Sequence, residues 1–297
     1  MEIAINTDFL TSVSSPEPWL KAISEAGFTH LHWCHQWNTD FLYGADEIRQ
    51  IAEWLKTFEL KLLDIHGSAG VEKCWYSPVE YRRRAGVELV KNRVLMLREL
   101  GGTGSLMMHA PCLRESNTPE QKQQLLQAYE AYRRSLDELM PVLEKYGVLI
   151  AIENMHSENF DLIARVLADY PEDRVGITYD SGHGNIGAAK GLELLTPYRS
   201  RLRALHLNDN DTTGDLHQPP FYGTVDWERM TDILADSGYR NKPLSFELSM
   251  RNTPWFDRTK EPPADQEPEK VRAFLADAYE RCAKVVSRYG SKCAKQA

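Results

Sequence analysis

Arg201-Leu202-Arg203-Ala204-Leu205-His206-Leu207-Asn208-Asp209-Asn210-Asp211-Thr212-Thr213-Gly214-Asp215-Leu216-His217-Gln218-Pro219-Pro220-Phe221-Tyr222-Gly223-Thr224-Val225-Asp226-Trp227 holds, in one stretch, the unit from which the chain is built. A short apolar run ends at His206, a polar loop follows, and an amphipathic segment begins at Val225. Alternate side chains of an extended segment share a face, so Asp215 and His217 can grip one ion together while His206 arrives from the strand end. Read alone, the stretch fits a metal site and fits equally well a His206 packed beside the core with Asp215 capping a turn.

The same strand, loop and helix unit recurs on both sides of it. Hydrophobic periodicity predicts strands at residues 3–5, 28–34, 60–65, 105–108, 148–152, 175–179, 202–207 and 244–246. Helices are predicted at 16–27, 44–58, 78–100, 118–146, 160–170, a short piece before Pro197, 225–237 and 269–289. Thr118 and Pro119 supply a cap and a first helical position, and Gly147 a stop. Residues 148–152 are apolar throughout, as a strand covered on both faces should be. Eight strands alternating with eight helices, without a linker-like break, predict an α/β chain folded as one (β/α)8 TIM barrel domain over residues 1–297. An open doubly wound sheet would also alternate, but no Gly-x-Gly-x-x-Gly follows the first strand.

Composition agrees. With 297 residues and 42% hydrophobic content the chain can bury one large core. Its formal charge of −8 argues against a large nucleic-acid surface. No segment approaches the roughly 20 apolar residues of a membrane span. The start, Met1-Glu2-Ile3-Ala4, has an acid where a secretory leader carries basic residues. Five cysteines, at 34, 74, 112, 282 and 293, form no Cys-x-x-Cys pair and leave one over, which fits reduced thiols in a cytoplasm.

In such a barrel the site is built by the loops that follow the strands. His66 follows the third strand, His109 the fourth, Glu153 the fifth, Asp180 and His183 the sixth, His206, Asp215 and His217 the seventh, and Glu247 the eighth. His32 and His35 bracket the end of the second strand, and His156 follows Glu153 closely; of nine histidines only His30 sits away from an exit. A convergent polar ring is the reading. Imidazole mixed with carboxylate suits Zn²⁺ or Mn²⁺ better than an all-oxygen Mg²⁺ cage. Glu153, Asp180, His206 and Glu247 would close one ion by themselves. His66, His109, His183, Asp215 and His217 are left to hold further ions, up to three in all, or to bind substrate. His32, Trp33, Trp75 and Arg251 are candidate substrate contacts. Trp37, Tyr76, Trp255 and Phe256 also lie near strand exits, where such rings serve a sugar pocket, the core or a homodimer contact.

These residues resemble the xylose isomerase-like barrel superfamily, which includes sugar isomerases and epimerases, inosose dehydratases and the endonuclease IV group. The resemblance spans nearly the whole chain in strand order. Its marks are His109-Ala110-Pro111, Ile152-Glu153-Asn154, Asp180-Ser181-Gly182-His183, His206-Leu207-Asn208-Asp209 and Phe246-Glu247-Leu248. Similarity to the ketose epimerases implies one divalent ion on Glu153, Asp180, His206 and Glu247. It further implies Glu153 and Glu247 as catalytic proton carriers and His183 as a catalytic hydrogen-bond donor to substrate. The chain departs from that branch at Asp215-Leu216-His217, where the epimerases place an arginine. This pair resembles endonuclease IV, which implies three zinc ions: on His66, His109 and Glu153, on the central four, and on His183, Asp215 and His217. The expectation is a metal-dependent isomerase or epimerase of a sugar, sugar phosphate or polyol. The alternatives are a trinuclear-zinc phosphodiesterase and an inosose dehydratase-like lyase. A barrel that only binds sugar or metal would have no need of two opposed bases.

Overall fold

The computed structural model describes residues 2–112, 118–155, 160–187, 189–260 and 266–295. Eight parallel strands form its centre: β1 (Ile3–Asn6), β2 (His30–Trp33), β3 (Lys61–His66), β4 (Leu106–Met108), β5 (Ile150–Glu153), β6 (Val175–Asp180), β7 (Leu202–His206) and β8 (Leu244–Phe246). Between and after them run α1 (Glu17–Ala26), α2 (Ala45–Thr57), α3 (Glu80–Glu99), α4 (Pro119–Tyr146), α5 (Asp161–Asp169), α6 (Gly191–Leu195), α7 (Trp227–Ala235) and α8 (Pro268–Lys295). Neighbours pair in the order β7-β6-β5-β4-β3-β2-β1-β8. The two ends meet: Leu207 N donates to Ser245 O at 3.0 Å and Glu247 N donates to Leu207 O at 3.1 Å. This closes the ring as a TIM barrel, the fold the alternation predicted.

Every residue of β1, β2, β4, β5, β6 and β8 is buried, because the barrel interior covers one face of each strand and the helices the other. Thr118 Oγ1 accepts from Gln121 N at the start of α4, and Gly147, at φ 61°, ends it in the left-handed region. Observed boundaries lie within a few residues of the expected ones. Two differ for visible reasons. The helix before Pro197 has only five residues and passes into a 3-10 stretch, Thr196–Arg201, where proline lacks the donor for an α-helical bond. The last helix runs on to Lys295, with Lys292 Nζ held 2.7 Å from Asp232 of α7. All five cysteines are free thiols. Among the described residues no helix is long and apolar enough to cross a membrane.

Candidate active site

Because all strands run the same way, their C-terminal ends gather on one face of the barrel. In the β6/β7 register Asp180 is the partner of His206, and in the β5/β6 register Glu153 is the partner of Thr178. Glu153, Asp180, His206 and Glu247 therefore arrive side by side, all buried, each offering a ligand atom within 4.8 Å of the others'. Nδ1 of His206 lies 2.7 Å from Oε1 of Glu153 and 3.0 Å from Oε2 of Glu247.

Supporting bonds fix these ends. Asn154 Oδ1 accepts from Asp180 N at 2.8 Å and Asn154 Nδ2 donates to Asp180 O at 3.0 Å, locking β5 to β6 beyond their ladder. Asn208 Nδ2 donates to Asp180 Oδ2 at 2.9 Å, leaving the other oxygen toward the cluster, where it also accepts from His183 N at 2.7 Å. Gly182 is what lets this turn form: a Cβ there would meet Asn208 Oδ1 at 1.9 Å.

Three further groups share members with the first: His66, His109 and Glu153; then Asp180, His183 and His217; and, behind them, His32, His206 and Glu247. His66 Nδ1 donates to Gly67 O at 2.8 Å, which places the lone pair on Nε2. His109 Nε2 lies 2.8 Å from Glu153 Oε2. Asp215 joins the second group, with Oδ1 2.8 Å from His217 Nε2 and Oδ2 3.2 Å from His183 Nε2.

The charges balance through imidazolium. Burial pushes the Glu153 carboxyl up, but His206 and His109 hold it well below the usual carboxylate range. Glu247 is likewise driven up by burial and brought down on balance by His206 and His217. Asp180 is the exception: burial lifts it to about 6, since its nearest imidazole nitrogen, His183 Nδ1, is 3.9 Å away rather than 2.7 Å. His206 rises well above its ordinary value, burial being outweighed by Glu247 and Glu153. His183 also rises against burial, through Asp180 and Asp215. His217 reaches about 10, burial again being outweighed by Glu247 and Asp215. Burial and neighbouring His109 keep His66 neutral. A buried mouth in which several imidazoles must carry protons to balance carboxylates is one that a divalent cation can occupy in their place. The central donor set, three carboxylates and one imidazole, fits Zn²⁺ or Mn²⁺.

The nine candidate ligands thus converge, while several candidate substrate contacts lie elsewhere. His32 is fully buried, its Nδ1 2.7 Å from Asp64 Oδ1 and its ring 4.5 Å from that of His206, and it is placed with His206 and Glu247 as a possible ligand. Trp33, the next residue, points to the opposite face: its Nε1 donates to Tyr43 Oη, and it packs toward Ile51 and Trp54 of α2, beside His35. Trp75 is buried against Tyr132 of α4 at 4.7 Å, with Gly86 of α3 close enough that a Cβ there would meet Trp75 N at 2.3 Å. Arg251 is exposed, its guanidinium over the Phe256 ring at 5.4 Å. His156 lies outside the described residues. Tyr76 lines the cavity beside His109, and Trp37 reaches the site, its ring 4.4 Å from that of His66 and 5.4 Å from that of His109. Its Nε1 donates to Asp8 Oδ2. Asp8 and Asp64 are site residues the sequence reading did not single out, and Asn154 and Asn208, taken there only as marks of the resemblance, hold Asp180 in place. Asp64 was within its reach, since alternation puts it on the same face as His66.

The sequence matches the family described as xylose isomerase-like TIM barrel over residues 20–278. It is 30% identical over 253 residues to the protein y4fM of Sinorhizobium fredii, covering 78% of this chain and 80% of that one. Among solved structures, a D-tagatose 3-epimerase-like protein superposes with a TM-score of 0.71 at 16% identity, covering 100% of this chain and 99% of the other. The IolI protein, solved with a bound zinc atom, gives a TM-score of 0.66 at 15% identity, covering 98% and 99%. At these identities the likeness to the two structures is one of fold.

Proposed function

We infer the activity from one premise: the chain belongs to the xylose isomerase-like TIM barrel family. Its mouth is read as the active site of a divalent-metal-dependent isomerase or epimerase acting on a sugar or polyol that carries a carbonyl group. One observation carries this reading. Glu153 and Glu247, both buried and both held ionised by imidazoles, stand on either side of His206 Nδ1. Two bases so placed suit removal of a proton from the carbon beside a carbonyl and its return elsewhere. The likeness of fold to a D-tagatose 3-epimerase-like protein supports the same chemistry.

Glu153, Asp180, His206 and Glu247 would hold the ion, their ligand atoms lying within 4.8 Å of one another, and IolI, a protein of like fold, was solved with a zinc atom. When bound, the ion polarises the substrate carbonyl as a Lewis acid. The chain's own groups do the rest. One glutamate accepts the carbon-bound proton; the other, ionised at rest, returns a proton that it first takes from an adjacent imidazolium, such as His217 with Nδ1 3.6 Å from Glu247 Oε2. His183, anchored through Nδ1 on Asn154 O at 2.8 Å, presents Nε2 toward Asp215 and the substrate space. Trp37 lies against the His66 ring at 4.4 Å and lines the space beside Asp8 and Asp215. Five free thiols fit work in a reducing cytoplasm.

Incubation of the Zn²⁺- or Mn²⁺-loaded protein with pentuloses, hexuloses and inososes in D₂O tests the reading. Deuterium entering the carbon beside the carbonyl is expected, and no incorporation into any of them would remove it. An inosose dehydratase-like lyase begins with the same proton abstraction and would show itself by loss of water. A trinuclear-zinc phosphodiesterase is the second reading, favoured by the two ligand groups that share Glu153 and Asp180 with the central four. Hydrolysis of a phosphodiester without any deuterium exchange would select it.

A further inference from the structure

Two cavities flank the cluster, and they differ in chemistry. One, of about 230 Å³, is polar: Asp8, Asp215, His217, Glu247 and Asn252 line it together with Trp37. The other, of about 510 Å³, begins at His109 and runs out beneath α4, between Tyr76, Gln124, Leu125, Ala128 and Met155. Trp37 meets His109 edge-on at 5.4 Å, so this pair of rings divides the two spaces, with Glu153 bonded to His109 at the dividing point.

Neither cavity has a lysine or arginine among its described lining residues. The smaller one sets three carboxylates against the imidazolium of His217, a lining that is negative on balance, and the described lining of the larger has neutral amide, hydroxyl, thiol and apolar groups beside His109. Phosphate sites are built otherwise, from guanidinium or ammonium groups or convergent backbone donors. The larger volume falls within the range of about 300–1,000 Å³ typical of small-molecule pockets, and it lies beyond the residues that would grip the reacting carbons. Leu125, Ala128 and Met155 offer apolar surface for the C–H face of a ring, and Gln124 and Tyr76 offer partners for hydroxyls.

We propose that the substrate is an uncharged, glycosylated ketosugar: the reacting unit lies over Glu153, Asp180, His206 and Glu247, and its O-linked sugar fills the cavity between His109 and α4. This rests on the sugar-active reading above and names the substrate class for it. The reacting unit's hydroxyls then face the acidic space around Asp8 and Asp215, and no described residue on either side offers a phosphate ester a lysine or arginine.

Calorimetric titration of the Zn²⁺-loaded protein with D-fructose, D-fructose 6-phosphate and 6-O-α-D-glucopyranosyl-D-fructose tests it, because the three differ only at O6. The disaccharide should bind about tenfold or more tighter than D-fructose, the phosphate ester no tighter than D-fructose. Ala128→Phe, and separately Leu125→Trp at another half-buried position on α4, should erase the disaccharide's advantage and leave D-fructose binding as it was. Equal binding of all three, tightest binding of the phosphate ester, binding of none, or an advantage that survives both variants overturns the proposal. No turnover is read in these titrations. A protein that prefers the disaccharide yet exchanges no deuterium loses only the isomerase reading, and one that exchanges deuterium without the preference loses only this one.

Discussion

Asp64 Oδ1 lies 2.7 Å from His32 Nδ1, a fully buried contact that ties β3 to β2 inside the barrel. It fixes which nitrogen of His32 carries a proton. Nε2 of His32 and Nε2 of His206 are both buried without a hydrogen-bond partner, and their rings lie 4.5 Å apart. With Glu247 the two imidazoles form a group of possible ligands, and Asp64 stands to His32 as the carboxylate behind a metal-binding histidine. Asp64→Asn removes the charge while keeping the shape. It should weaken Zn²⁺ binding about 10- to 100-fold, measured by competition with a chelator, while the fold is retained. Unchanged affinity would mean that the pair only packs.

The same cluster sets a pH dependence whose sign follows from its shifts. His217, at about 10 in the folded chain against about 6.5 unfolded, contributes stability that is whole below about 6.5 and lost as pH rises through about 10. Asp180, at about 6 against about 3.9, contributes stability present at low pH and lost as pH rises through about 6. Glu153 and Glu247, both depressed, act in the opposite sense and cost stability only on strong acidification. Chelator-treated protein should therefore melt at falling temperature between pH 7 and pH 10. Restored Zn²⁺ should reduce that fall, since the ion takes over the balancing of charge and releases protons as it binds. A melting temperature that rises over this interval without metal would contradict the charge assignment.

Glu153 is bonded to both His206 and His109 and belongs to two of the ligand groups. Glu153→Gln keeps the volume and removes the base. Deuterium exchange on a turned-over ketose should fall at least about 100-fold, the lower end of what a positioned general base supplies. Metal content measured on the same preparation separates lost chemistry from lost ion. Exchange at the parental rate would take Glu153 out of the mechanism.

Strand exits were legible because barrel strands, buried on both faces, read as apolar runs that stop where chemistry begins: Ile150 to Ile152 and then Glu153, Val175 to Tyr179 and then Asp180. Position in chain order was enough to bring nine ligand candidates to one face. Side-chain direction was legible only within strands. Period-two alternation sends His32 inward and Trp33 outward, so placing both at the substrate was inconsistent with the strand they share. In the loops no such rule operates. Trp37 turns onto His66 while Trp75 turns into the gap between α3 and α4, and that choice depends on the space left by Gly86 and Tyr132, residues remote from it in sequence. Arg251 found a ring closer by, that of Phe256.

The number of ions turns on the loop after β7. Asp215 bridges His217 and His183 at 2.8 Å and 3.2 Å, and both histidines share a ligand group with Asp180, one of the central four. If this outer group holds an ion of its own, joint replacement of Asp215 and His217 by alanine removes two of its donors and leaves the four central ligands untouched. Elemental analysis after zinc loading should then show one fewer ion per chain, with the remaining zinc bound as before. The loop should keep its path, because Asp209 N and O pair with Gln218 O and N, and Asn252 Nδ2 donates to Leu216 O, none of which involves the two replaced side chains. An unchanged zinc count would assign Asp215 and His217 to hydrogen bonding of substrate, with His183 held for that purpose, and would leave a single-ion centre as the site's chemistry.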